Sequence, residues 1–385
     1  MDFDLPEEMR LLQNTLRRFV DDELIPIEGK SLDGQKLKPD VAAHLVARAQ
    51  DLGLWLIDLP EEYGGQGLGL LARAVVWSEL GRTTALPTRH VPILGPDIRP
   101  VMYFLSPEMK ERYLFPTVRG ERHSCFAQTE PEAGSDPGSM RTTAIRDGDT
   151  YVINGVKRFI TGAAEADYML LMAATDRAKG SRGGISCFIL DMDTPGVRLA
   201  ASHETMTGER PWEIVLEDVR IPAAQRIGEE GGGFALGQKW LGIGRVKQGA
   251  RAIGATRRCI ELAATYAKQR VTFGRPLSDR QSVQWGLVDS YLALEAAELM
   301  VFRTAVRFDE GRDVRNDAFA VKLHCTEMAW RAAEMCLQVH GGIGLTTELP
   351  VERLWRDQRS HMITEGAPEI MRMVLARHVL NQFAS

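Results

Sequence analysis

Three regimes of apolar spacing succeed one another along the 385 residues, and their order constrains the fold more than any other feature. From Leu5 to about Gly120, apolar side chains recur at helical spacing. Leu11, Leu12, Leu16, Phe19, Val20 and Leu24 make one stripe, and Val41, Leu45, Ala49 and Leu52 another. This predicts an all-helical segment of five or six helices. The glycine-rich loop Tyr63-Gly64-Gly65-Gln66-Gly67-Leu68-Gly69 interrupts it, and Pro87, Pro92, Pro96 and Pro100 mark an irregular stretch. Between Ser124 and Ile221 the pattern shortens to runs of Val, Ile, Phe and Tyr. Arg146-Asp147-Gly148-Asp149 is a hairpin signal between residues 142–145 and 151–153, and further strands are expected at 168–174, 185–191, 197–201 and 213–219. After Gly231-Gly232-Gly233 long helical patterns return over 234–268, 279–310, 316–338 and 368–383, which suggests a bundle. Linkers near Gly120 and Pro222 divide the chain into 1–120, 121–230 and 231–385. The expected class is α+β, mainly α. A helical, then β, then helical order excludes the alternating βαβ pattern of a doubly wound dinucleotide fold. No GxGxxG sits between a strand and a helix, so a dinucleotide would have to be held another way.

Charge and cysteine usage narrow the function. The formal net charge is -5 with both signs interspersed, so no basic face calls for nucleic acid, and the mild acidity fits a cytoplasmic protein. Cys125, Cys187, Cys259, Cys325 and Cys336 are odd in number and never form a CxxC pair, which argues for reduced buried thiols. His324, His340 and His361 lie on three segments with no carboxylate at ligand spacing, so no metal site is expected. The acidic start, Met1-Asp2-Phe3-Asp4-Leu5-Pro6-Glu7-Glu8, does not read as a targeting peptide. No apolar run approaches the roughly 20 residues that a membrane helix needs.

The chemistry is carried by short motifs. Thr364-Glu365-Gly366 places a carboxylate at a loop-to-helix junction with Pro368 in the first turn, where taken alone it reads as a surface cap favoured by the helix dipole. Thr129-Glu130-Pro131-Glu132-Ala133-Gly134-Ser135-Asp136 taken alone is a turn after a strand. Arg270-Val271-Thr272-Phe273-Gly274-Arg275 taken alone is an exposed basic turn between long helices. Phe159-Ile160-Thr161-Gly162 and His340-Gly341-Gly342-Ile343-Gly344 complete the set. In order and spacing these motifs resemble the acyl-CoA dehydrogenase family of flavoproteins over essentially the whole chain, from Pro6-Glu7-Glu8 to the last helix.

The resemblance implies an N-terminal α-helical domain, a middle β-barrel-like domain and a C-terminal four-helix bundle, with FAD as cofactor. It implies that Glu365 removes the α-proton of an acyl-CoA thioester while its own amide, beside Gly366, helps hold the thioester carbonyl. FAD takes the β-hydride, and the product is a trans-2-enoyl-CoA. A carboxylate cannot do this unless the developing enolate charge is stabilised by aimed donors. Some members of the family carry the base one residue before the arginine of Leu241-Gly242-Ile243-Gly244-Arg245; here that residue is Gly244, which leaves Glu365. Arg245 matches a substrate-contacting arginine. Phe126, Gln128 and Thr129 would lie along the flavin pyrimidine edge. Gly134 and Ser135 would approach the FAD phosphates or the substrate nucleotide. Thr161 would bond the flavin ring, with Phe159 in place of the more usual tryptophan. Arg270, Phe273 and Gln281 would reach FAD in a neighbouring subunit, and Gln338, Gly341 and Gly342 its adenosine half. Sharing of this kind requires a homodimer or homotetramer. Electrons would pass to an electron-transfer flavoprotein, in fatty-acid or lipid metabolism.

One departure bears on FAD. Ala367-Pro368-Glu369 replaces the family's usual Thr-Ser-Gln, removing a hydroxyl and an amide and adding a carboxylate. Lys247 and Gln248 are expected on an exposed helix face; either side chain turned inward would imply a polar or carboxylate function on the acyl group. Two alternatives remain at this level. One is a flavin oxidase or monooxygenase on the same scaffold; the other is a non-catalytic paralogue kept as an interaction module.

Overall fold

The computed structural model describes residues 4–384. Helices α1 (Glu7–Phe19), α2 (Pro39–Asp51) and α3 (Leu70–Leu80) open the chain, with a hairpin of β1 (Leu32–Asp33) and β2 (Lys36–Leu37) between the first two. Short helical turns α4 (Pro107–Met109) and α5 (Phe115–Val118) lead into β3 (Ser124–Ala127), β4 (Thr143–Asp147), β5 (Thr150–Ile160), β6 (Tyr168–Ala174), β7 (Ile185–Asp191), β8 (Val197–Ser202), β9 (Trp212–Pro222) and β10 (Arg226–Ile227). Then come α6 (Gly233–Gln269), the hairpin β11 (Val271–Thr272) and β12 (Arg275–Pro276), α7 (Gln281–Asp309), α8 (Arg315–His340), α9 (Val351–Ile363) and α10 (Pro368–Phe383).

Two elements depart from the sequence reading. The β1–β2 hairpin breaks the helical N-terminal segment at Asp33-Gly34, with two paired residues on each side, too few to show an alternating pattern. Helix α9 carries no apolar stripe because the face it buries, Val351, Leu354, Asp357, Gln358 and His361, is mostly polar.

By contacts the chain forms two compact units, Val46–Gln66 with Pro92–Leu241, and Met1–Leu45 with Gly67–Val91 and Gly242–Ser385. The sheet of the former runs β10-β7-β6-β4-β5-β9-β8, with β3 paired in parallel to β6. Strand β6 is buried along its whole length and alternates between two cores. Tyr168, Leu170 and Met172 pack with Val101, Met102, Tyr113 and Leu114 on the helical side. Met169, Leu171 and Ala173 pack with Ile214, Leu216, Val219 and Ile221 on the other. Burial on both faces is why this strand reads as an unbroken apolar run.

In the other unit the helices approach closely wherever side chains are small. A Cβ on Gly254 would fall 1.9 Å from the carbonyl oxygen of Ser78, and one on Gly249 would fall 2.3 Å from Val321. Glu79 on α3 is fully buried and gathers Arg17 at 3.0 Å, Arg257 at 3.3 Å and Arg82 at 3.4 Å. The first amides of α3 lack an intrahelical partner. Asp309 at the end of α7 accepts two of them, from Leu70 at 2.6 Å and Leu71 at 3.0 Å.

Candidate active site

Helix α9 ends at Ile363, and α10 starts with Pro368 after Ala367 as N-cap. Between them the chain turns through the left-handed region, with φ of 57° at Glu365 and 114° at Gly366. Gly366 is required on two counts: that φ, and a Cβ there would fall 2.4 Å from Met371. Glu365 has no such freedom, so its backbone is held in place by its surroundings.

The Glu365 side chain, exposed as a residue, reaches α6. Its Oε2 lies 3.0 Å from where a Cβ on Gly244 would be. The Glu365 carboxylate therefore lies against Gly244, the helix position that carries the base in some members of the resembling family. A Cβ on Gly242 would meet nothing within 4 Å, so crowding accounts for Gly244 alone.

Two buried cations share this neighbourhood. Arg245 is 5% exposed and stacks its guanidinium 4.1 Å from the Phe319 ring centroid, with no hydrogen-bond partner for Nε. Burial lowers its pKa to about 10, and the charge of Glu365 opposes the drop. Lys322 on α8 is fully buried, and its Nζ donates to the carbonyl oxygens of Met362, at 2.9 Å, and Gly366. Burial pushes it down to about 8, again opposed first by Glu365. Lys322 was missed at the sequence level. The signal was a lone charge inside the stripe Ala318, Phe319, Val321, Cys325.

The reading of residues 247 and 248 needs correction. Gln248 is buried at 8% exposure with no partner for its Oε1, one turn beyond Gly244 on the same face of α6. Lys247 is half-buried and sits 5.3 Å over the Trp77 ring. Helix α6 packs on both flanks here, so a polar pair does not mark a solvent face.

The candidate flavin residues fall into two groups. Beside the sheet, the Thr129 carbonyl accepts from the Arg158 amide at 2.8 Å and the Gln128 carbonyl from Lys157 Nζ at 3.1 Å. These bonds set the end of β3 against the end of β5. Phe159 follows in a bulge with φ of 58°, more than half exposed, its ring edge-on to His203 at 5.1 Å. Thr161, Gly134 and Ser135 are exposed. Phe126 is half-buried against the helical-side core. Glu130 points inward, and its buried carboxylate binds Lys157 at 2.7 Å and the amides of Arg141 and Thr142 at 2.6 and 3.0 Å. That acid anchors the loop and is not available to a ligand.

Among the helices, Tyr266 stacks on His340 at 4.5 Å, bringing the end of α6, and with it Arg270, to the end of α8, where Gln338, Gly341 and Gly342 lie. Arg270, Gln281 and Gln338 are exposed, and Phe273 is 98% exposed at the hairpin tip with φ of 47°. A Cβ at Gly134, Gly341 or Gly342 would meet nothing within 4 Å. Beside the sheet the uncovered Phe159 ring and open Gly134 suit a planar ring, and among the helices the exposed Arg270 with open Gly341 and Gly342 suits a pyrophosphate, so each group by itself fits part of a flavin dinucleotide. Glu369 remains the exception, an exposed acid in the first turn of α10. All five cysteines are free and buried, and no helix among the described residues is long and apolar enough to cross a membrane.

The N-terminal, middle and C-terminal domains of acyl-CoA dehydrogenases match residues 6–121, 125–219 and 231–380. The human mitochondrial short-chain specific acyl-CoA dehydrogenase is 37% identical, over 99% of this chain and 92% of that protein. The butyryl-CoA dehydrogenase structure from Megasphaera elsdenii superposes with a TM-score of 0.85 at 31% identity, covering 99% and 100% of the two chains. The structure of PigA with FAD and proline gives 0.87 at 29% identity, covering 98% and 99%. Since these likenesses span the chain from end to end, it belongs to the acyl-CoA dehydrogenase family and is an oxidoreductase with FAD as cofactor.

Proposed function

We propose that the chain dehydrogenates an acyl-CoA thioester between its α and β carbons to give a trans-2-enoyl-CoA, with Glu365 as base. The observation that carries this reading is the Glu365 carboxylate set against side-chain-free Gly244, with Arg245 and Lys322 buried beside it. Glu365 takes the α-proton, and its backbone N–H, next to Gly366, donates to the thioester carbonyl as enolate charge develops. FAD, when bound, accepts the β-hydride. Gln128, Thr129, Phe159 and Thr161 would hold its ring end, with Phe126 behind them. Gly134 and Ser135 would face a phosphate, and Arg270, Phe273, Gln281, Gln338, Gly341 and Gly342 its pyrophosphate and adenosine. The proposed domain division is 1–120, 121–230 and 231–385.

The likeness to short-chain specific acyl-CoA dehydrogenases and to a butyryl-CoA dehydrogenase supports a short acyl group. The buried, unpartnered Gln248 favours a second reading in which that group carries a polar function. Equal turnover of straight-chain and polar acyl-CoAs would remove the second reading. A homodimer or homotetramer is supported by an exposed stripe on α7, Trp285, Val288, Leu292 and Leu299, at helical spacing. Free buried thiols and mild net charge fit the cytoplasm, and an electron-transfer flavoprotein is the proposed electron acceptor.

The test is anaerobic titration of the FAD-loaded protein with a panel of acyl-CoAs while the flavin band is followed. Bleaching is expected, and Glu365→Gln should bind substrate yet bleach slower by about 10²-fold or more. An unchanged rate in that variant overturns the assignment. Oxygen consumption without any acyl-CoA would favour an oxidase instead.

A further inference from the structure

We propose that Lys322 is a positioning residue that fixes the attitude of Glu365 by clamping both ends of the turn that carries it; this rests on Glu365 being the base. An ammonium has three donors and no acceptor. Lys322 spends two of them on the carbonyl oxygens of Met362 and Gly366, which bracket residues 363–365. The last carbonyls of a helix have no intrahelical partner, and a cation there is favoured by the dipole. With the Met362 oxygen satisfied by a side chain, α9 can stop at Ile363 and leave Glu365 free to adopt its left-handed conformation. The second bond reaches past Glu365 to the residue ahead of the α10 N-cap, so the carboxylate stem hangs between two points tied to α8.

Burial makes the clamp rigid as well as strong. Lys322 is fully enclosed, and a buried ammonium without partners would lose its charge. Leaving the two carbonyls would strand it, so it keeps that geometry. The groups that act on it are Glu365, Arg245, Arg89 and Glu369, two acids and two bases, and Glu365 has the largest influence. Lys322 makes no bond to the Glu365 carboxylate; it acts on the backbone that aims it.

Lys322→Met keeps an unbranched stem as far as Cε and removes every donor. Two readouts are taken on the FAD-loaded protein: backbone amide exchange over residues 360–370 without substrate, and the flavin-bleaching rate constant with its substrate dissociation constant. In the variant, exchange should accelerate in that segment while the rest of α8 stays protected. The rate constant should fall by up to about 10²-fold, as for a misplacement of the order of 1 Å. The dissociation constant should move far less, and Lys322→Arg should recover part of the rate. Wild-type exchange in the segment overturns the clamp, and a wild-type rate with a loosened turn overturns the positioning role. If Lys322→Met does not fold, Lys322→Gln, which is one atom shorter and uncharged, is judged by the same criteria. Exchange does not depend on chemistry, so a wild-type protein that no acyl-CoA bleaches refutes the proposed function while the clamp is still decided.

Discussion

Adding one methyl group to Gly244 should slow proton abstraction while making the protein more stable. A Cβ at this position would sit 3.0 Å from Glu365 Oε2 and 3.9 Å from its Cδ, and meets nothing else within 4 Å. An ordinary contact is about 3.5–4.0 Å, so the carboxylate oxygen must retreat by about 0.5 Å. A misplacement of about 1 Å at a reacting centre costs about 10²-fold, which scales to about tenfold here. Replacing glycine by alanine inside a helix contributes about 1 kcal/mol in the opposite direction. Lost packing would lower rate and stability together; this mechanism separates them.

The assay is rapid mixing of the FAD-loaded Gly244→Ala protein with acyl-CoA under anaerobic conditions, with thermal unfolding measured in parallel. Proton removal should become more nearly rate-limiting, so α-deuteration of the substrate should slow bleaching more in the variant than in the parent. Gly242→Ala is the control, since its Cβ would meet nothing within 4 Å. It should gain stability without losing rate. A Gly244→Ala protein that bleaches at the parent rate would show that Glu365 does not lie against α6 in the reacting complex, and the geometric argument would fall.

Asp309→Ala should cost about 1–2 kcal/mol, because the side chain that accepts from the first amides of α3 is lost, and exchange at Leu70 and Leu71 should accelerate ahead of the rest of the helix. Burial acts to raise the Glu130 carboxyl, but the Lys157 ammonium and the amides around it hold it below 4.5. A folded value below the unfolded one means its stabilisation is fully present above about pH 4.5 and is lost as pH falls through the lower folded value. Glu130→Gln should flatten that part of a plot of melting temperature against pH. Burial, aided by Arg251 and Arg89, holds His361 well below 6.5, so protons bind the unfolded chain first, and stability should decline as pH falls below about 6.5. His361→Gln should lack that decline, and an unaltered slope would mean the histidine is already solvated in the native state.

Elements with a sustained helical or strand spacing, or an unbroken apolar run such as β6, are legible in the sequence, and elements that are short or bury polar side chains are not. The β4–β5 hairpin and the long helices follow from their spacing. The hairpin at Asp33-Gly34 is too short to show a period, and α9 hides its helix because Asp357, Gln358 and His361 are buried, Asp357 and His361 against Thr88. At the site, residue chemistry alone makes Glu365 a helix cap; the joint order of several motifs is what supports its proposed role as a base. Gln248 and Lys322 escaped for one common reason. Charge and amide groups suggest solvent when a sequence is read one helix at a time, whereas here neighbouring segments bury them.

The same burial bears on how the chain would aim Glu365, the proposed base. A carboxylate mounted on α6 itself would be oriented by helix geometry and a few side-chain rotamers. Glu365 arrives instead from a turn with a left-handed backbone, and such a conformation persists only when its surroundings over-determine it. The helix contributes an absence, the missing Cβ of Gly244, and the aim must come from the turn. Gly366 supplies the reversal, Pro368 fixes the entry to α10, and Lys322 ties the carbonyls on either side. Activity in this chain should therefore be as sensitive to buried donors behind the turn as to the groups that face the substrate.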